Sequence, residues 1–172
     1  MEKRPGFAVW LTGTPASGKS TIAAALTERL NELGIGVQVL ESDELRKVLT
    51  PEPTYSEKER EQFYDVIVYV GQLLVDNGVN VIFDATANKR KHRDQARARI
   101  QRFMEVYVKC PSEVCANRDP KGLYKEAKNG KISTLPGIQT GYEPPLRPDV
   151  TIFSDTEEPS EATEKIIKKL FP

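Results

Sequence analysis

The sequence predicts an α/β protein built on a parallel five-stranded sheet flanked by helices. Three observations carry that expectation. Short apolar runs rich in Val, Ile and Phe alternate with longer amphipathic runs along the whole chain, and such alternation implies parallel strands joined by right-handed crossovers. Glycines at Gly34, Gly78 and Gly130 stop helical runs where the next connection must begin. Between the first strand-like and the first helix-like run stands Gly13-Thr14-Pro15-Ala16-Ser17-Gly18-Lys19-Ser20, which fits G-x-x-x-x-G-K-[ST] at every fixed position.

Phe7 to Thr12 reads as the first strand and Thr21 to Leu30 as the helix that follows the glycine-rich run. Strand, loop and helix in that order identify the run as a phosphate-binding P-loop. Gly13 and Gly18 let the backbone curl so that successive N–H groups face a triphosphate, and the new helix aims its positive end at the same point. Lys19 is then placed to reach the β- and γ-phosphates, and the Ser20 hydroxyl to hold Mg²⁺. Val37 to Leu40 forms the second strand, ending at Glu41-Ser42-Asp43, with Asp43 the N-cap of a helix from Glu44 to Leu49. Thr50 to Tyr55 is a proline-stiffened loop. Ser56-Glu57-Lys58-Glu59 has the capping-box pattern, so a long helix runs from Glu57 to about Asp76, with Tyr64, Val68, Leu73 and Leu74 on its core side.

Val79 to Asp84 is the third strand, Lys89 to Arg102 a basic helix, and Phe103 to Val108 the fourth strand. Two short helices follow, Ser112 to Arg118 and Lys121 to Lys128. Ile132 to Pro148 shows no periodicity. Asp149 to Phe153 gives the fifth strand and Ser160 to Leu170 the last helix. In such sheets ligands lie beyond the carboxyl ends of the strands, so Gly13, Glu41, Asp43, Asp84 and Cys110 are expected on one edge.

The totals fit one domain over residues 1–172. Charges balance, with 25 Lys and Arg against 25 Asp and Glu, which gives no global pull toward nucleic acid or an anionic membrane. No run reaches the roughly eighteen apolar residues of a spanning helix, and Met1 to Pro5 leads straight into the first strand with no signal peptide, so a cytoplasmic protein is expected. Cys110 and Cys115, with one histidine in the chain, are too few for a structural zinc site and read as reduced thiols. The basic run Lys89-Arg90-Lys91-His92-Arg93, without interleaved aromatics, reads as a solvated helix face with one or two arginines turned to the site.

Arg118-Asp119-Pro120-Lys121-Gly122-Leu123-Tyr124-Lys125, Gly137-Ile138 and Tyr142-Glu143-Pro144-Pro145 are long and chemically distinctive. With the P-loop, and with no Asn-Lys-x-Asp run for guanine, they resemble the adenylylsulfate kinases from about Val9 to Asp149. That family transfers the ATP γ-phosphate to the 3′-hydroxyl of adenosine 5′-phosphosulfate in sulfate assimilation. The resemblance implies a nucleoside-kinase-like fold with a lid over Lys121 to Pro145, Arg118 near the ATP adenine, Lys121 near the phosphates, and a homodimer. Glu41-Ser42-Asp43 falls where the family has Asp-Gly-Asp, and these carboxylates can orient Mg²⁺ waters and accept the acceptor's proton. Asp43 is the expected base and, with Ser20, the expected metal ligand; a plain helix N-cap is the competing and compatible role. Arg46 and Arg60 match acceptor-binding arginines, although Arg60 among Glu57, Glu59 and Glu61 also fits a solvated face. Tyr55 stands where the family has a Phe that stacks on the substrate adenine.

The acceptor side departs from the family pattern. Phe63 and Asp65 stand for an asparagine and an arginine, Ala87 for a serine, and Ser133, Leu135 and Gln139 for lysine, a stacking phenylalanine and aspartate. Leu135, with Gly137 and Ile138, can still pack on a base. Asp84-Ala85-Thr86-Ala87-Asn88 followed by Arg90 and Arg93 is similar to a run in P-loop kinases of other small hydroxyl substrates, where Asp84 holds Mg²⁺ through water or simply caps a turn. The resulting reading is an ATP- and Mg²⁺-dependent adenylylsulfate kinase acting on small molecules. A kinase of another hydroxyl compound and a nucleotide-binding regulatory module without turnover stand as alternatives.

Overall fold

A computed structural model of the chain describes residues 5–172, so the leaderless start expected at Met1 to Arg4 lies outside the described residues. Five strands pair in parallel in the order β2-β3-β1-β4-β5: β1 (Ala8–Thr12), β2 (Val37–Glu41), β3 (Asn80–Asp84), β4 (Phe103–Lys109) and β5 (Val150–Phe153). The helices are α1 (Lys19–Glu32), α2 (Ser42–Leu49), α3 (Glu57–Asp76), α4 (Arg90–Arg99), α5 (Ser112–Arg118), α6 (Leu123–Lys128) and α7 (Pro159–Leu170). The parallel five-stranded sheet expected from the alternation of segments is present.

Every residue of β1 is buried, because the strand is central and covered on both faces. The two-residue side-chain period divides it between two cores. Val9 and Leu11 face α1 and α7, packing with Ile22, Leu26, Leu30 and Ile166. Ala8 and Trp10 face α3 and α4, packing with Phe63, Ile67, Val68 and Ala96. Trp10 therefore belongs to the core, its ring stacked on Phe83 with centroids 4.4 Å apart and its indole N–H donating to the Ala85 carbonyl at 2.9 Å. A side chain at Gly71 would begin 2.1 Å from Phe83 Cζ, so the absence of a Cβ lets α3 lie directly on β3.

Several local expectations change. Leu73 is 51% exposed, whereas Tyr64 and Val68 are buried and Leu74 packs at the core margin; Phe63, Ile67, Gly71 and Val75 define the buried face, and Leu73 lies off it. Glu41 occupies the N-cap position of α2 and Asp43 lies in its first turn, so Asp43 is not the cap. At α3 half of the capping box forms. Ser56 Oγ accepts from Glu59 N at 3.2 Å, but the Glu59 carboxylate turns upstream to Thr54 N at 2.7 Å and Tyr55 N at 3.2 Å. The basic helix stops at Arg99, since Ile100 turns extended and is buried on the way into β4.

Candidate active site

The carboxyl ends of β1, β2 and β3 come together because the strands are in register, Leu11 beside Asp84 and Glu41 beside Asp84. The P-loop leaves β1 here. Ala16 and Gly18 both take positive φ, at 61° and 101°, which curls the loop, and Gly18 is the N-cap of α1. The Lys19 ammonium folds under the loop, donating to the carbonyls of Gly13 at 3.0 Å and Thr14 at 2.9 Å. Burial lowers its pKa from 10.5 to about 8, opposed by the negative fields of Asp84 and Asp43.

Ser20 Oγ donates to Asp84 Oδ2 at 2.6 Å. The serine meets Asp84 rather than Asp43 because β3 is the strand beside β1, while Asp43 stands one strand further out on α2. Asp43 instead pairs with Lys121, at the start of the Lys121 to Pro145 segment expected as a lid, and Glu41 Oε1 lies 4.0 Å from the same ammonium. Burial and the neighbouring carboxylates of Asp84 and Asp43 raise the Glu41 pKa, with Lys121 opposing. Side-chain hydroxyl and carboxylate oxygens at a P-loop are the hard donors a magnesium ion takes, and the described residues contain no cluster of three or more His, Cys, Asp or Glu able to hold a metal alone. The donor set therefore suits an ion completed by nucleotide phosphates.

The segment expected as a lid rests on the P-loop. Tyr124 Oη donates to the Pro15 carbonyl at 2.8 Å, and a Cβ on Gly137, whose φ is +85°, would fall 2.8 Å from Thr14 Cγ2. Leu135 is buried at 4% exposure; its N–H donates to Gln139 Oε1 at 3.1 Å, while Gln139 Nε2 reaches the Ile132 carbonyl. Ile138 is exposed. A cleft of about 550 Å³ runs from Ala16 and Lys19 past Asp43 and Asp84 to Arg118 and the loop from Ser154 to Pro159. Arg118 donates to the Ser154 carbonyl at 2.6 Å, and Ser154 Oγ donates to the Ser17 carbonyl at 2.5 Å. Cys110 lies on this edge as expected, its sulfur 3.7 Å from Arg118 Nη1, and both cysteines are free thiols.

On the other side of Asp43, Arg46, Tyr55 and Arg60 form one cluster. The Arg46 guanidinium carbon is 5.2 Å from the Tyr55 ring centroid and 3.9 Å from that of Phe63. Arg60 is not a solvated face: it donates to the carbonyls of Tyr55 at 3.1 Å and Thr134 at 2.8 Å, tying α3 to the lid. Tyr55 has φ +54°, a strained conformation for an aromatic residue.

Sequence reasoning missed two parts of this edge. The Ser154–Pro159 loop has no motif, yet it follows β5 and so belongs to the carboxyl edge by topology alone. Arg90 and Arg93 were read as turning to the site or to solvent, but they hold the Glu143–Pro144 segment. Arg90 Nε donates to the Pro144 carbonyl at 2.8 Å, its N–H to Glu143 Oε2 at 2.8 Å, and Arg93 Nη2 to the Glu143 carbonyl at 2.6 Å. Thr12 Oγ1 donates to the Thr86 carbonyl at 2.6 Å, which leaves the Tyr142 hydroxyl to donate to Thr12 Oγ1 at 3.0 Å.

The family model for adenylylsulphate kinase matches residues 5–153. A probable adenylyl-sulfate kinase of Pyrococcus abyssi is 42% identical over 164 residues, covering 95% of this chain and 94% of its own. An adenylyl-sulfate kinase of Rippkaea orientalis is 41% identical over 168 residues, covering 98% and 93%. Among solved structures, the Mycobacterium tuberculosis APS kinase CysC in complex with AMPPNP and APS superposes with a TM-score of 0.92 at 33% identity, covering 98% of this chain and 99% of that one.

Proposed function

This chain belongs to the adenylylsulphate kinase family, and on that premise we propose that it transfers the γ-phosphate of ATP to the 3′-hydroxyl of adenosine 5′-phosphosulfate. The observation that carries this reading is the set of groups gathered on one sheet edge beneath the lid: Lys19, the Ser20–Asp84 pair and the Asp43–Lys121 pair. Phosphoryl transfer asks mainly for positioning and charge neutralisation, and this edge supplies both.

In this reading Gly13 to Thr21 cradle the triphosphate, with Arg118 beside the adenine. Ser20 and Asp84 would hold Mg²⁺, with the carboxylates of Asp43 and Glu41 on the same edge, and the ion would supply charge neutralisation on the phosphate oxygens. Lys121 exchanges its pairing with Asp43 for the phosphates when ATP is bound, which frees the Asp43 carboxylate to accept the acceptor's hydroxyl proton. Arg46, Tyr55 and Arg60 bind the acceptor, and Leu135, Gly137 and Ile138 close over it from the lid. Homodimer assembly and a cytoplasmic location belong to the same reading. Arg90 and Arg93, on which a kinase of another hydroxyl compound would draw, are committed to Glu143 and Pro144 instead.

A coupled ADP-release assay against adenosine 5′-phosphosulfate and a panel of nucleosides and polyols tests the proposal. Turnover confined to a different acceptor would overturn it, and tight ATP binding with no turnover would mark a regulatory module. Asp43→Asn should lower kcat by roughly 10²- to 10⁴-fold while ATP affinity changes little. Equal losses in both quantities would make Asp43 a structural or metal-holding residue.

A further inference from the structure

Phe63 belongs to the buried face of α3 at 2% exposure, yet its ring meets a charge rather than apolar core on one side. The Arg46 guanidinium carbon stands 3.9 Å from its centroid, well inside the distance at which a cation is held by a ring face. Arg46 comes from α2, a helix with no buried residue of its own. The contact is therefore a link between that helix and the body of the protein.

The rest of the Arg46 environment is incomplete. Its side chain is 12% exposed, and its Nη1 is buried without a hydrogen-bond partner. Glu59 Oε1 lies 3.7 Å away, but the Glu59 carboxylate already accepts from Thr54 N, Thr54 Oγ1 and Tyr55 N. A guanidinium this far out of water with a free donor is costly unless something anionic completes it. An amide or carboxylate partner would orient the group by consuming its N–H donors, and a carboxylate would also cancel its charge. A ring face orients it and consumes none.

We propose that Phe63 is a positioning residue that acts through Arg46: its ring fixes the guanidinium beneath Tyr55 while leaving the N–H donors for the anionic group of the acceptor. The proposal rests on the acceptor reading given above, and it makes Phe63, a departure from the family pattern, a determinant of acceptor affinity and not of the chemical step.

The test replaces the Phe63 ring by pentafluorophenyl, which keeps the shape and withdraws the negative ring face, alongside Phe63→Leu. The KM for adenosine 5′-phosphosulfate should rise roughly three- to thirtyfold in both, with kcat and the KM for ATP within about twofold of the parent. A purely structural role predicts no change with the fluorinated ring. In the free protein, the Arg46 Nε–H proton should show an upfield ring-current shift that falls sharply in Phe63→Leu, to the smaller contribution of the more distant Tyr55 ring. An unshifted Arg46 proton, or an acceptor KM indifferent to fluorination, would overturn the proposal. If the parent protein fails to use adenosine 5′-phosphosulfate at all, the acceptor reading falls, and the Arg46 resonance still decides the stacking.

Discussion

Lys19 shows how a single residue couples the protein's resting state to its ligand. The ammonium is held by the carbonyls of Gly13 and Thr14, and burial brings its pKa down to about 8. A triphosphate favours the charged form, so binding above pH 8 must take up a proton. Calorimetric titration with ATP at pH 9, in two buffers of different ionisation enthalpy, should therefore show uptake approaching one proton. ATP affinity should weaken as pH climbs through about 8, and binding without proton exchange would contradict the assignment. The same linkage fixes a stability trend. The unfolded lysine keeps its proton up to about 10.5, so between 8 and 10.5 the unfolded chain holds more protons and this group makes the free protein more stable as pH rises.

At the scale of elements, α4 works as a strut between the sheet and the loop that carries Glu143. Arg93 is 1% exposed and makes charge-assisted bonds in three directions: to Glu105 on β4 at 2.7 Å, to the Ala87 carbonyl of the loop after β3, and to the Glu143 carbonyl of the loop before β5. Glu105 is itself buried, with Arg97 a more distant second partner at 3.5 Å. Arg93→Ala would leave that carboxylate largely uncompensated, and urea denaturation should report a loss of about 3 to 5 kcal/mol. A loss below about 1 kcal/mol would mean that Arg97 alone satisfies Glu105. Lys89–Glu57 and Lys91–Glu61 also join α4 to α3, but these pairs are exposed and contribute little. The arginine pattern Arg90-x-x-Arg93 was visible in the sequence. Its target was not, because Glu143, which accepts from it, lies about fifty positions further along the chain.

For the molecule as a whole, the packing of α4 on α3 makes stability sensitive to acid. The His92 ring stacks on Tyr64 with centroids 4.5 Å apart, and the Tyr64 hydroxyl oxygen accepts from the Ala87 N–H at 2.9 Å. Burial, aided by Lys91, lowers the His92 pKa from 6.5 to about 4. The unfolded chain therefore binds a proton between pH 6.5 and 4 that the folded chain refuses, and stability falls across that window as pH drops. Thermal melts should show the fall in the parent protein and a flatter profile in His92→Gln over the same range. Parallel profiles would assign the acid loss to the carboxylates.

By itself the sequence determined the succession of strands and helices along the chain, the P-loop between β1 and α1, and the edge shared by Gly13, Glu41, Asp43, Asp84 and Cys110. Those features are local or topological: a period of two or 3.6 residues, a loop that must curl around phosphates, a parallel sheet whose loops gather at one end. Only the tertiary structure decided which partners these residues take. It joined Ser20 to Asp84, paired Asp43 with Lys121, stacked Arg46 on Phe63 and turned Arg93 from a surface charge into a buried strut. Each of those pairings is a contact between side chains far apart in the chain. Its energy depends on burial and on which other donors and acceptors are already satisfied, and neither quantity exists until the strands are in register.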